Sequence, residues 1–233
     1  MKKIATMLCL ITVTSLTKAD LIADWNFNGD STGAAPNPSL ADHGSGSLSF
    51  SGLANSGDAS IISGGTAQNE YTGDSAGNAL SVSAGGSGEP ENGKSLIFSI
   101  DTSDYQNIVL TYATDASSTG FNSQQWSYSL NGTSYTSFGS AKVPGTTSFT
   151  QTGTETEDFS SVTALNDYGT VYFEATLTGA SGTSGVDRFD NIQFNGTLSA
   201  VPEPATWGAI SAVGLLGICG LREWRQRKQA QAA

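Results

Sequence analysis

Cysteine is missing from the interior of this chain: of the two present, Cys9 lies in the first apolar stretch and Cys219 in the last. Disulfides, thiolate zinc sites and cysteine nucleophiles are thereby excluded from residues 20–206. His43 is the only histidine, so a zinc site would have to be built mostly of carboxylates. Cations are scarce as well. Between residues 20 and 206 only Lys94, Lys142 and Arg188 stand against twenty carboxylates, a balance that makes nucleic acid and anionic lipid poor partners.

The two ends carry what the interior lacks. Met1-Lys2-Lys3, the apolar stretch Ile4 to Leu16 and then Thr17-Lys18-Ala19 follow the charge, apolar, small-residue order of a secretory signal, with cleavage expected after Ala19. At the other end Val201-Pro202-Glu203-Pro204 precedes an uncharged run from Trp207 to Leu221 and the cluster Arg222-Glu223-Trp224-Arg225-Gln226-Arg227-Lys228. As a helix that run covers about 22 Å against a hydrocarbon core of about 30 Å, so a span over residues 206–222 needs its flanks to snorkel. Cations just after the run place the C-terminus in the cytoplasm and the rest of the chain outside.

The order Pro202-Glu203-Pro204, short apolar helix and Arg222, Arg225 and Arg227 resembles the PEP-CTERM sorting signal. The resemblance covers residues 200–228. It implies an exported Gram-negative protein, held at the inner membrane and then sorted by exosortase to the cell surface or extracellular matrix. The two prolines fix φ and bias their predecessors to extended backbone, which holds Glu203 outside the helix for a partner to read. The chain thus divides into a signal peptide (1–19), an ectodomain (20–200) and a sorting and anchor segment (201–233), with a basic cytoplasmic end at 222–228.

Within the ectodomain the apolar residues alternate in short runs between Gly, Ser, Thr and Asn, the period of an all-β domain. The runs are Leu21–Phe27, Ala79–Ala84, Ser95–Ile100, Asn107–Thr114, Gln125–Leu130, Thr170–Thr178 and Phe189–Phe194. Asn131-Gly132 between alternating runs predicts a two-residue hairpin, with Trp126, Tyr128 and Leu130 on one face. Apart from Ala79–Ala84, the stretch Ala54–Gly93 reads as long ordered loops. Strands at this spacing without intervening helices predict two packed antiparallel sheets. From Leu96-Ile97-Phe98-Ser99-Ile100, through the Trp126 hairpin and Asp158-Phe159-Ser160, to Arg188-Phe189-Asp190-Asn191-Ile192, the order also resembles the jelly-roll-like β-sandwich of anchored proteins and carbohydrate-binding modules.

Several patterns touch on chemistry. Gly88-Glu89-Pro90-Glu91-Asn92-Gly93-Lys94-Ser95 fits the P-loop pattern, but a period-2 strand follows it and two glutamates would repel phosphate. Gly73-Asp74-Ser75-Ala76-Gly77 fits a nucleophile elbow, yet His43 is the only base and no strand-to-helix turn surrounds Ser75. Asp187, Asp190 and Asn191, with Asp24 and Asn26 from the first run, offer hard oxygen ligands for Ca²⁺ if the first and last strands meet. Otherwise Asp190 and Asn191 cap a turn and Arg188 pairs with a carboxylate. Trp25, Tyr105, Trp126, Tyr128 and Tyr135 are candidates either for the core or for a sugar-stacking platform.

Together these point to a non-catalytic envelope or matrix protein whose body binds, adheres or coats, with polysaccharide the candidate partner. The competing reading is a secreted carbohydrate-active enzyme built on a carboxylate pair. Replacing Glu203 by Ala should leave membrane insertion intact and block maturation. Mass spectrometry of the C-terminus from the native host reads this directly, and a variant processed like the parent would discard the sorting reading.

Overall fold

The computed structural model describes residues 19–53, 58–86, 88–146, 149 and 153–199. The expected signal peptide, Ala19 apart, and the sorting segment with Pro202, Glu203, Pro204, Arg222, Arg225 and Arg227 lie outside the described residues. Among those described, no helix is long and apolar enough to cross a membrane.

The architecture is an all-β sandwich of two antiparallel sheets. Its strands are β1 (Ala19–Trp25), β2 (Gly33–Ala34), β3 (Ser39–Leu40), β4 (His43–Gly44), β5 (Gly46–Ser51), β6 (Ala59–Ser63), β7 (Asn78–Ser83), β8 (Lys94–Asp101), β9 (Tyr105–Ala116), β10 (Ser123–Ser129), β11 (Thr136–Ser137), β12 (Thr154–Asp158), β13 (Thr170–Thr178) and β14 (Val186–Leu198). Two single 3-10 turns, Phe159–Ser161 and Thr163–Leu165, follow β12. Asp158 caps the first by accepting from the Ser160 amide.

One sheet has six strands in the order β11-β10-β13-β8-β5-β3. The other has eight. Its path runs β12-β9-β14-β7-β6-β2, with β1 beside β14 and β4 beyond β1. Strand β14 organises this sheet: β9 lies along one side of it, while on the other side β7 pairs with Val186 to Phe189 and β1 pairs with Ile192 to Thr197. The first and last strands are therefore neighbours. The change of partner falls at Asp190-Asn191, where the register with β9 shifts and Asn191 takes φ 49°. Such a bulge bends the strand and leaves backbone groups for other partners.

Alternation places the core between the sheets. Leu96, Phe98 and Ile100 from β8 and Val171, Phe173, Ala175 and Leu177 from β13 are fully buried and face Trp25, Leu110, Phe189, Ile192 and Phe194 of the opposite sheet in one cluster. Phe98 sits at the ring junction, 5.1 Å from Trp25, 5.4 Å from Phe194 and 5.9 Å from Trp126. Trp25 and Trp126 are thus core residues and not a sugar platform.

A polar chain crosses this core. Trp126 Nε1 donates to the Tyr112 hydroxyl at 2.9 Å, Tyr112 donates to Gln124 Oε1 at 3.1 Å, and Gln124 Nε2 donates to Asp187 Oδ2 at 3.1 Å. It links β10 of one sheet to β9 and β14 of the other.

Two local expectations fail for stated reasons. The Asn131-Gly132 hairpin forms, but pairing begins only at Tyr128 with Thr136. Asn131 Oδ1 accepts from the amides of Thr133 and Ser134, and Ser129 Oγ accepts from those of Asn131 and Gly132, so side chains build a longer turn. The stretch Ala54–Gly93 contains β6 as well as β7, a strand too short to show its period.

Removing the Tyr112 hydroxyl leaves Trp126 Nε1 and Gln124 Oε1 buried without it. Tyr112→Phe should therefore lower stability by about 1–3 kcal/mol at nearly constant buried volume, seen as a lower urea midpoint with an unchanged slope.

Candidate functional site

The outer face of the eight-stranded sheet is roofed by the loop 64–77 where β1 meets β14. Asp24 lies between Ala23 and Trp25, both in the core, so the pleat turns its carboxylate to this outer face; Asp190 stands in the same relation to Phe189. The loop is tied to the β14 bulge. Asp190 Oδ2 accepts from the Thr66 amide at 2.8 Å, and Asn191 Nδ2 donates to the carbonyls of Thr66 and Gln68. Asn69 Nδ2 donates in turn to the Asn191 carbonyl, and Gln193 Nε2 to that of Asn69. A Cβ at Gly65 would collide with Asp190 Oδ2 and the Asn78 carbonyl, so only glycine lets the loop come this close.

Beneath the roof an acidic cluster forms. Asp24 is 0% exposed, and neither of its carboxylate oxygens has a hydrogen-bond partner. One ligating atom each from Asp24, His43 and Asp74 lie within 4.8 Å of one another. Asp74 Oδ2 contacts His43 Nε2 at 2.9 Å and accepts from Asn26 Nδ2 at 2.6 Å. Tyr71 packs on the His43 ring with centroids 4.4 Å apart. Glu70 Oε1 is also buried without a hydrogen-bond partner, and Glu70 lines a cleft of about 420 Å³ with Asp20, Tyr71, Gln193 and Asn195.

Burial raises the Asp24 carboxyl to about 7, with His43 opposing and Asp42 and Asp74 adding to the rise. Burial likewise raises Asp190 to about 8, against the two amides it accepts from, and Asp24 and Glu70 push it further. A cluster that holds protons at such pH is one a cation can enter by displacing them. The donors are mainly hard carboxylate oxygens, the set that suits Ca²⁺, with one softer imidazole at the rim.

The four expected Ca²⁺ ligands do not all converge. Asp24 and Asp190 both lie under the loop, with Asp24 near enough to raise Asp190 further, but of the two only Asp24 belongs to the group whose ligating atoms converge; Asn191 is there too, but its amide nitrogen ties down the loop. Asp187 is elsewhere, accepting from the Phe121 amide and Gln124 Nε2 at the end of the core network, with burial raising it to about 7. It lies three positions before Asp190, an odd step that puts the two on opposite faces of one strand. His43, Asp74 and Glu70 were not expected as members, because they come from β4 and from a loop with no periodic signal. Asn26, expected beside Asp24, holds Asp74.

The other sequence patterns resolve differently. Arg188 pairs with Asp115 through both Nε and Nη2 and lies 4.8 Å from the Phe149 ring centre. Ser75 is exposed, its carbonyl accepts from Asn28 Nδ2, and His43 Nε2 is turned to Asp74 instead. Lys94 opens a strand, as the period after Gly93 predicts, and no helix follows it.

The six-stranded sheet presents a second candidate surface. Its inward residues are buried while Ser47, Ser49, Ile97, Ser99, Gln125, Tyr172, Glu174 and Thr176 remain half-exposed, the pattern of a sheet open to solvent. Gly132 approaches the Tyr172 ring. Burial raises the Tyr135 hydroxyl, and the nearby Glu174 and Tyr172 add to the rise. Ser127 Oγ reaches Glu174 Oε2 at 3.4 Å. The face is neutral to acidic and rich in hydroxyl, amide and phenol groups.

No protein-family model matches the chain, and no curated protein matches it. Among solved structures it is similar to the K2 cleaved adhesin domain of Lys-gingipain, at 18% identity and a TM-score of 0.43 over 74% of this chain and 97% of that one. It is similar to the K1 cleaved adhesin domain from Porphyromonas gingivalis W83, at 11% identity and a TM-score of 0.42 over 73% and 95%. A family 11 carbohydrate-binding module of the Clostridium thermocellum cellulase Lic26A-Cel5E aligns at 15% identity and a TM-score of 0.39 over 80% and 99%.

The acidic cluster makes stability depend on pH in a defined sense. An acid raised on folding binds its proton more tightly in the folded state, so stability falls as pH rises from its unfolded value, near 3.8 for Asp, through about 7 to 8. In chelator the melting midpoint should thus rise as pH is lowered from 8 to 5. Asp24→Asn should flatten that slope; a midpoint that instead falls on acidification would refute the assignment.

Proposed function

We propose that this chain is an exported, non-catalytic binding protein whose open six-stranded face engages neutral polysaccharide at the cell surface or in the extracellular matrix. The observation that carries this reading is the contrast between the two outer faces. One is roofed over an acidic cluster, whereas the other is left open and carries hydroxyl, amide and phenol groups without an exposed cation. Such a face matches a hydroxyl-rich ligand: tyrosine rings pack on sugar C–H faces, and Glu174, Gln125 and the serines exchange hydrogen bonds with hydroxyls. It does not suit a polyanion.

In this reading Ca²⁺ binds Asp24 with Asp74 and Asp190 and fixes the loop 64–77 on the β14 bulge. Asn191 acts by anchoring the loop, and Asp187 is not a ligand. The tail from Pro202 onward acts as the sorting signal, read by exosortase at the membrane, and the signal peptide supplies export.

The test is binding of the exported chain to a panel of neutral plant and bacterial polysaccharides by affinity electrophoresis. Tyr172→Ala should weaken binding by roughly 3- to 10-fold, the loss expected from one aromatic contact, while Asp190→Ala should abolish a Ca²⁺-dependent rise in melting midpoint of several degrees. Retention of full affinity when Tyr172 and Glu174 are both replaced would remove the open face from the account.

A further inference from the structure

Lys94 opens β8 in phase with Leu96, Phe98 and Ile100, so its side chain enters the layer between the sheets, where the residue is 1% exposed. There Nζ stands 2.9 Å from Asp58 Oδ2 and 3.1 Å from Glu91 Oε2. Asp58 immediately precedes β6 of the eight-stranded sheet, while Lys94 belongs to the six-stranded one, so this contact crosses the sandwich. Nζ and Glu91 Oε2 are shut off from solvent, and Nζ, although in contact range of both carboxylates, makes no hydrogen bond. The contacts are close in distance but off the hydrogen-bond axis. The backbone at Gly85 roofs the group: a Cβ there would stand 2.9 Å from Asp58 Oδ1 and 3.3 Å from Nζ.

An amine held against a buried carboxyl, with a second carboxyl on the same nitrogen to carry protons, is the constellation needed for amide formation. Fixed proximity replaces a bimolecular encounter, and exclusion of water suppresses the reverse hydrolysis. We propose that Lys94 and Asp58 condense in the folded chain to an isopeptide bond joining the two sheets. Glu91 takes a proton from the ammonium, and the freed Nζ attacks Asp58 Cγ. The C–N bond forms, one C–O bond breaks, and two protons pass from nitrogen to the departing oxygen by way of Glu91. One ammonium and one carboxylate become one amide and one water, with no oxidant, nucleotide or metal consumed. Asp58 is the acyl partner because it is 5% exposed, whereas the side chain of Glu91 reaches the surface at 36%. The bond would give a cysteine-free body the cross-link that disulfides supply elsewhere.

Lys94 is the only trypsin site between Lys18 and Lys142, which makes the test sharp. The full chain is exported, purified, denatured and digested. The amide removes the charge trypsin needs, so the peptide from residue 19 or 20 through Lys142 should appear uncut and lighter by one water. Lys94→Arg should be cut at position 94 and keep its full mass. Glu91→Gln, at a half-exposed position, should keep the parental β spectrum and lose most of the condensation. A parent cut after Lys94 at full mass would overturn the proposal. So would loss of water with Lys94 still cleavable, the mark of an Asp58 succinimide, or a link that persists in Asp58→Ala and maps to Glu91.

Discussion

The architecture depends on β14 serving three neighbours, with β9 along one side and β7 and β1 sharing the other. Where it passes from β7 to β1, the ladder is interrupted and backbone groups must find partners that are not strands. Asn69 Nδ2 of the loop 64–77 donates to the Asn191 carbonyl and Asp190 Oδ1 takes the Asn191 amide, while the side chains of Asp190 and Asn191 bond the loop at Thr66 and Gln68. The roof over Asp24 therefore follows from how the sheet is paired. Without the change of partner at Asp190-Asn191 the loop would lose its bonds to those two residues and keep those that Asn26, Asn28, His43, Thr111 and Gln193 make to it.

Two buried charge groups at different places solve the same electrostatic problem differently. Around Asp24 carboxylates gather with His43 to oppose them, and burial raises the proton affinity of Asp24 and Asp190, which leaves room for a metal cation. Around Lys94 one amine is set against Asp58 and Glu91, and the condensation proposed above removes two of the charges. Desolvated charges are costly unless compensated, by several kcal/mol per ion, so each group depends on the partners gathered around it. The core itself is built on ring contacts about Phe98 and a hydrogen-bonded chain from Trp126 to Asp187, which makes the packing specific as well as apolar.

Much of this was legible in the sequence. Strict alternation in β8 and β13 fixed both their period and their core face, and the all-β, two-sheet architecture follows from it. The meeting of first and last strands was foreseen as the condition for an ion site, and β1 does pair with β14. The parity of Asp187 and Asp190 was also legible, since an odd separation divides the faces of a strand wherever no bulge intervenes. Other features leave no local trace. Strand β12 reads Thr-Glu-Thr-Glu-Asp, an edge without an apolar period, and β6 is too short to display one. His43 and Asp74 meet only because β4 pairs with β1 and the loop 64–77 folds back, a juxtaposition set by tertiary structure.

The position of β14 also has a mechanical meaning. A load entering at Leu198 and directed along the strand reaches a segment bonded on both edges, to β9 with breaks at Asp190–Gln193 and Asn195–Thr197, and to β1 near its end. Those bonds lie across the line of pull and must be sheared together, whereas a chain end on a peripheral strand could be peeled one bond at a time. The first strand, Ala19 opposite Thr197, clasps the end that would bear the load. A pull along β14 is thus resisted by both of its ladders together, and the resistance is governed by the barrier to separating β14 rather than by net folding free energy.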